Sequence, residues 1–391
     1  MKKILIVLDN MKMGGSERQA LILARWLRER CEVDIKVIAL QSPAGQVAAI
    51  CDQLRIEWSV LSFTKPRNPL KLVRNLLYVA GAFRREQPYA IIPFGLRANV
   101  VCGLIWRITG AKTTIWNQRR ENYDVILGRR LDFLAAYFSP MWIANSHQGA
   151  VHISKIFQRP LSQIKVINNG VQFIAPIQSR PTWRQSLGIS EDCFAACMVA
   201  NFHAPKDHAT LLHAWRIVQD YLAPVGRGSV LVLAGRPSST YKSMLLLVNE
   251  LQLTEHVRFL GEVDDIAGLL ASVELGVHSS HKEGCPNGLL ECMAAGLPVV
   301  ATDIPGTRFA IGEENENWLV PENDFRKLAQ KILAFAADPN LRSTVGKENQ
   351  DRVLTLFSAQ RMCDHFCSIM RISVLNKQQE LVQADTSFMI A

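Results

Sequence analysis

No stretch of this sequence stays apolar for the roughly 20 residues that a membrane-spanning helix needs. The longest apolar runs, such as Ile4–Leu8 and Ser229–Ala234, have the length of a buried strand. At the start, Lys2 and Lys3 are followed by only five apolar residues before Asp9, which argues against a secretory leader. Cysteines in a Cys-x-x-Cys pair are missing too. The nine cysteines are odd in number and scattered, and the pairs Cys193/Cys197 and Cys363/Cys367 have no histidine pair at ligand spacing beside them. That pattern speaks against a disulfide framework and a zinc site, and for reduced, buried thiols in the cytoplasm. Gly-x-Gly-x-x-Gly is also lacking after the first strand, so the dinucleotide fingerprint fails.

What remains is a soluble globular composition, 48% hydrophobic and 20% charged, over 391 residues. That length exceeds one ordinary core and predicts two domains. The formal charge of +9 suits nucleic acid, a phosphorylated substrate or an anionic membrane surface, and does not choose among them.

Strand and helix patterns alternate along the first half. Strands are predicted at Lys2–Leu8, Val33–Leu40, Glu57–Leu61, Ala90–Pro93, Thr113–Trp116, Trp142–Ala144 and Ile164–Ile167. Helices are predicted between them, the longest at Pro69–Arg85 with Lys71, Arg74, Arg84 and Arg85. After Met13-Gly14-Gly15, Ser16 and Gln19 read as a capping box opening a helix. Ala175–Pro181 reads as a linker, being proline-bearing and without periodicity. The alternation then restarts and runs to two closing helices, Phe325–Ala336 and Ala359–Met370, with Lys377–Ala391 as a frayed tail. Alternation of this kind predicts parallel sheets with ligands at the C-terminal strand ends.

The most informative stretch is Ser279–Gly306. It holds Glu283 and Glu291, a loop Gly284-Cys285-Pro286-Asn287-Gly288, and a helix stopped by Gly296 and Pro298. A loop feeding a helix N-terminus offers amides and a positive dipole end to an anion. Glu291, expected in the first turn, would repel that anion unless its carboxylate turns aside to accept from hydroxyls. A sugar nucleotide has both parts, a diphosphate and vicinal hydroxyls. Three further loops end strands of this half: Asn201–Asp207 with Lys206, Gly235-Arg236-Pro237, and Gly261-Glu262-Val263-Asp264. Lys206 can reach a phosphate as a point charge.

At these residues the chain resembles the family 4 glycosyltransferases. Gly14-Gly15-Ser16-Glu17 is similar to the family's N-terminal glycine loop, and Asn169-Gly170-Val171 to its turn before the linker. Asn201–Lys206 is similar to its lysine loop, and Glu283–Glu291 to its Glu-x7-Glu motif, with the run Glu291–Pro298 following. The resemblance implies an α/β fold of the GT-B kind, two Rossmann-like parallel-sheet domains facing a central cleft. Residues 1–175 would form the acceptor domain and residues 176–357 the nucleotide-sugar donor domain, with a C-terminal helix of about 358–391 packing back on the first.

By the same resemblance, Glu283 holds hydroxyls of the donor sugar and Glu291 those of the ribose. Asn287, Gly288 and Leu289 offer the helix start to the diphosphate, Lys206 neutralises it as it leaves, and Gly14 and Gly15 let the first loop approach it. Asn201, Arg236, Gly261 and Val263 complete the donor-binding set. Family members retain anomeric configuration and use no metal and no cofactor beyond the sugar nucleotide. This sequence holds no Asp-x-Asp pair.

Two departures stand out. Asn201 occupies the position where the family often has an arginine, and no histidine precedes His147, so the family's first-domain residue near the sugar is unassigned. Arg119 and Asn117 are the candidates for it, Arg119 as a catalytic residue.

The expected activity is therefore hexose transfer from a UDP- or GDP-sugar to a hydroxyl of a glycan or lipid-linked acceptor in polysaccharide biosynthesis. It would take place in the cytoplasm, with peripheral association to an anionic inner membrane face if basic and apolar side chains share one face of Pro69–Arg85. The rivals are a sugar-nucleotide epimerase, a phosphorylase, which would need a lysine pocket for pyridoxal phosphate, and a nucleic-acid binder. The last would need one basic stripe, whereas Lys and Arg spread over both halves.

Overall fold

The computed structural model describes residues 1–41, 43–120 and 123–374, and its strands form two separate parallel sheets. The chain divides after Gly170 and again after Ser358. The first unit runs β1 Lys2–Leu8, α1 Gly15–Arg30, β2 Val33–Ala39, α2 Gln46–Gln53, β3 Glu57–Val60 and α3 Pro69–Arg85. It continues with β4 Ala90–Phe94, α4 Leu96–Thr109, β5 Thr113–Gln118, α5 Arg129–Phe138, β6 Met141–Ala144, α6 His147–Phe157 and β7 Ile164–Val166. Its seven strands lie in the order β3-β2-β1-β4-β5-β6-β7. Ile4–Leu8 is fully buried, as a central strand covered on both faces must be.

The second unit runs α7 Arg180–Leu187, β8 Phe194–Val199, α8 His208–Leu222, β9 Ser229–Ala234, α9 Tyr241–Glu250, β10 Val257–Gly261 and α10 Ile266–Ala271. Then come β11 Leu275–His278, α11 Asn287–Ala294, β12 Val299–Thr302, α12 Pro305–Ile311, β13 Leu319–Val320, α13 Phe325–Ala337 and α14 Pro339–Leu356. Its six strands lie in the order β10-β9-β8-β11-β12-β13. The last helix, α15 Ala359–Met370, belongs to the first unit, where Phe366 stacks on Phe94 at 6.0 Å and Cys367 Sγ meets Cys31 Sγ at 3.9 Å. All nine cysteines are buried. Among the described residues, no helix is long and apolar enough to cross a membrane. Lys377–Ala391 lies outside the described residues.

Three sequence expectations are corrected. The helix after β1 starts two residues earlier than the capping box required, with Gly14 rather than Ser16 at the N-cap and no side-chain cap. Gln19 instead reaches Gly170, donating to its carbonyl at 3.0 Å and accepting its amide at 2.8 Å. The supposed linker runs into α7, which Ser179 caps and Pro181 opens within the first turn, a placement proline favours. The 18-residue α14 was unforeseen because only Val345, Gly346, Asn349 and Val353 are buried, too few for an apolar stripe.

Helix α7 is fixed by Arg184, whose side chain is 1% exposed. Its Nη1 donates to the Ser272 carbonyl at 2.9 Å and to Glu274 at 3.1 Å, and its Nη2 to the Cys193 carbonyl at 2.6 Å. Glu274 in turn accepts the Ala195 amide at 2.7 Å, so one buried pair ties α7 to the starts of β8 and β11. Arg184→Leu leaves the carbonyls of Ser190, Glu191, Cys193 and Ser272 without this donor, while Arg180 and the Ala195 amide still serve Glu274, and should cost about 1–3 kcal/mol in urea unfolding. A loss under about 1 kcal/mol would show that the pair does not carry α7.

Candidate functional site

An open parallel sheet binds ligands where its strand order reverses, beyond the C-terminal strand ends. In the second sheet β8 pairs with β9 on one side and β11 on the other, so the reversal lies between β8 and β11. Lys206 follows β8 and Glu283 follows β11. The two loops are stitched together: Ser280 Oγ donates to Pro205 O at 2.7 Å, Ser279 Oγ to Asp207 O at 2.6 Å, and His281 N to Pro205 O at 2.9 Å. Asp207 also caps α8 through the Thr210 amide at 3.1 Å.

This stitching brings Lys206 Nζ into contact with Glu283 Oε1. The same oxygen lies 2.8 Å from His278 Nε2. Burial pulls the Lys206 ammonium down to about 7. His278 is held neutral, first by burial and then by Lys206 and His208 nearby. His208 is itself depressed to about 4 by burial, and its Nδ1 lies 3.0 Å from the Lys206 carbonyl while its ring stacks on Phe202 at 4.3 Å. Two neutral imidazoles therefore surround one lysine. Sequence reasoning missed His278; its signal was a histidine ending a buried strand five residues before Glu283.

Helix α11 begins beside this cluster. Its N-cap is Pro286, which has no side-chain acceptor, and its first turn contains Asn287, Gly288 and Leu289. A Cβ on Gly288 would fall on the Val199 carbonyl at the end of β8. A Cβ on Gly306, in the first turn of α12, would likewise fall on the Glu283 carbonyl. Both glycines exist for close backbone approach. Glu291 is corrected from the first turn to the fifth residue of α11, one turn further from the helix start.

Asn201 Oδ1 accepts the Arg236 amide at 2.8 Å, joining the loops after β8 and β9. Arg236 Nη1 lies 3.8 Å from Glu262, and Gly235 donates to the Gly261 carbonyl at 2.7 Å, so Val263 follows a loop tied to its neighbour. Gly261 has φ +69°, a left-handed value that suits glycine. These loops thus form one series along β8, β9 and β10.

The remaining candidates lie in the first unit and are described there alone. Gly14 is the N-cap of α1 and Gly15 its first residue. Arg119 follows β5, donates to Asn169 at 2.6 Å and stacks its guanidinium over Phe94 at 5.3 Å. Asn117 is committed to the fold: it donates to Pro93 O and its amide to Asn99 Oδ1, both at 2.9 Å. The first sheet reverses between β1 and β4, where Asp9 accepts the Ala98 amide at 2.8 Å. Burial raises the Asp9 carboxyl against those amide bonds. Sequence reasoning passed over Asp9. Among the described residues, no group of three or more His, Cys, Asp or Glu side chains could hold a metal ion.

Residues 194–338 match the model of the family described as Glycosyl transferases group 1. The chain spans about half the length of several curated relatives it matches, 53%, 47% and 46%. It is 29% identical over 301 residues to the capsular polysaccharide biosynthesis glycosyltransferase CapM of Staphylococcus aureus, covering 74% of this chain and 78% of that one. It is 24% identical over 229 residues, 58% of each chain, to the UDP-Gal:α-D-GlcNAc-diphosphoundecaprenol α-1,3-galactosyltransferase of Escherichia coli. Among solved structures, HepE of Anabaena in complex with UDP and glucose superposes with a TM-score of 0.81 at 21% identity, covering 95% of this chain and all of that one. The fold is GT-B. Together the matches support a glycosyltransferase of that fold.

Because Gly288 and Gly306 each face backbone rather than a movable side chain, Gly288→Ala and Gly306→Ala should each lose about 1–3 kcal/mol of stability. Thermal unfolding checks this; unchanged melting of both variants would show that the loops yield freely.

Proposed function

We propose that the protein is a retaining, metal-independent glycosyltransferase that moves a hexose from a UDP- or GDP-sugar to a hydroxyl of a lipid-linked or growing polysaccharide. The observation carrying this reading is the meeting of Lys206, His278 and Glu283 at the reversal point of the second sheet, beside a helix start without a side-chain cap. The second unit is the donor domain in this reading, and the first the acceptor domain.

The α11 amides and Lys206 take the diphosphate, and Glu283 and Glu291 accept from hydroxyls of the sugar and the ribose. As the bond between the anomeric carbon and the diphosphate oxygen breaks, the diphosphate leaves with the electron pair. The acceptor oxygen bonds to the anomeric carbon, and its proton passes to the departing diphosphate. No step requires a divalent ion, because the lysine and the helix dipole stabilise the developing charge where it appears. Lys206→Ala and Glu283→Gln should each lower transfer by at least about 100-fold with the fold intact, assayed in EDTA with a panel of UDP- and GDP-hexoses. Full activity of either variant overturns the assignment, and loss of wild-type activity in EDTA overturns the metal-free mechanism.

The acceptor side of the proposal rests on α3. Leu70, Val73, Leu77 and Tyr78 are exposed on it, Leu70 by 80%, and Lys71, Arg74, Arg84 and Arg85 share that outward face. The helix carries no acidic residue. Apolar and basic side chains mixed on one face fit the surface of an anionic bilayer, so we place the protein peripherally on the cytoplasmic membrane face, near a lipid-linked acceptor. It should co-sediment with phosphatidylglycerol vesicles at low salt and less at high salt. Arg74→Ala and Arg84→Ala should each weaken binding by about 1 kcal/mol. No wild-type sedimentation at low salt removes the membrane face.

A further inference from the structure

Glu283 Oε1 has two hydrogen-bond donors of different mobility. Lys206 brings its ammonium on a flexible four-carbon stem from a loop. His278 brings Nε2 from the last residue of β11, whose ladder partner is Ala301 of β12. The side chain of His278 is 2% exposed, so it has no room to turn away. The loop backbones are fixed relative to each other by the bonds of Ser279 and Ser280, and the Glu283 carbonyl is backed by Gly306.

A diphosphate arriving at the α11 start competes with Glu283 for the lysine. Two phosphate charges outweigh one carboxylate, so the stem swings and the ion pair opens. Glu283 then loses one donor at the moment it has to meet sugar hydroxyls. A half-buried carboxylate with no donor would turn toward water or back toward the lysine.

We propose that His278 is a positioning residue: it keeps the Glu283 carboxylate in place when the diphosphate draws Lys206 away, so that the sugar meets a carboxylate already aimed. Being neutral, it adds a hydrogen bond without adding a charge that would cancel the carboxylate. This inference rests on the sugar-nucleotide reading of the site and adds a specific coupling to it. Nucleotide diphosphate needs Lys206 and not His278, whereas the hexose needs His278 through Glu283.

The test compares UDP, UDP-glucose, GDP and GDP-mannose on the wild type, His278→Leu and His278→Gln by calorimetric titration. Glutamine can place its amide nitrogen near the position of Nε2. His278→Leu should bind the free diphosphates within about twofold of wild type while losing about tenfold in affinity for the sugar nucleotide. His278→Gln should restore most of that loss. In a Glu283→Gln background, His278→Leu should change nothing further, which a merely structural role would not produce. Equal losses for diphosphate and sugar nucleotide, no loss at all, or no rescue by glutamine overturns the positioning role and leaves the site reading standing. A wild type that binds none of the four ligands overturns both. If His278→Leu does not fold, His278→Gln decides: sugar-nucleotide affinity more than about tenfold below wild type overturns the proposal.

Discussion

One carboxylate oxygen, Glu283 Oε1, accepts from both Lys206 and His278, and much of the second unit is arranged to let it do so. A lysine, a histidine and a glutamate cannot share a buried point unless the loops after β8 and β11 arrive together. Ser279 and Ser280 spend their hydroxyls on carbonyls of the β8 loop to secure this. Two helices then have to come close to the same loops, and both do it through glycine, Gly288 against Val199 and Gly306 against Glu283. A side chain at either position would move the carboxylate or the helix start, and the geometry tolerates neither.

The two units use the same topological feature in opposite ways. In each, the strand order reverses beside the start of a helix, an obvious place for an anion. In the first unit the protein supplies the anion itself: Asp9 accepts the Ala98 amide, and Gly95, with φ +149°, leaves room for the carboxylate. In the second unit the corresponding start, that of α11, has proline at its N-cap and no side-chain cap. One helix end meets a carboxylate of its own unit, and the other begins on a proline that has no side-chain acceptor to offer. This contrast explains why the second unit, and not the first, is read as the diphosphate site.

Much of this was legible in the sequence, and the limits have physical causes. Strand cores such as Ile4–Leu8 and Val230–Ala234 are continuous apolar runs because both sheet faces are covered, and such runs stand out in any reading. Lys206 and Glu283 stood out as candidates because their loops end strands of one sheet and resemble known motifs, since a lone lysine in a loop is most often only solvated. His278 was not, since a histidine inside a buried strand looks like any core residue until its neighbour across space is known. Ser16 failed as a cap because Gln19, which seemed to complete the box, bonds Gly170 instead, a partner 151 residues away. Asn201 was read as a lost cation, and the structure gives it other work in holding the Arg236 amide. His278 lies only five residues from Glu283 and was hidden by its place in a buried strand, whereas the Gln19 and Asn201 misses involve partners 151 and 35 residues away, which local pattern cannot report.

That last point bears on how the site can function with so little fixed positive charge. Asn201 brings no charge to the β8 loop, and both nearby imidazoles are held neutral. Lys206 itself is pulled to about 7 by burial, so in neutral water its charge is not secure on its own. Glu283 maintains it in the free protein, since an opposite charge in contact favours the ammonium. In the proposed reaction the diphosphate takes over that task, with a stronger field. The lysine is then most firmly charged when charge on the leaving group is greatest. A permanently charged arginine at position 201 would stabilise diphosphate whether or not a sugar was attached. A lysine that is handed from carboxylate to phosphate ties the charge to the presence of the donor, and frees the carboxylate for the hexose in the same movement.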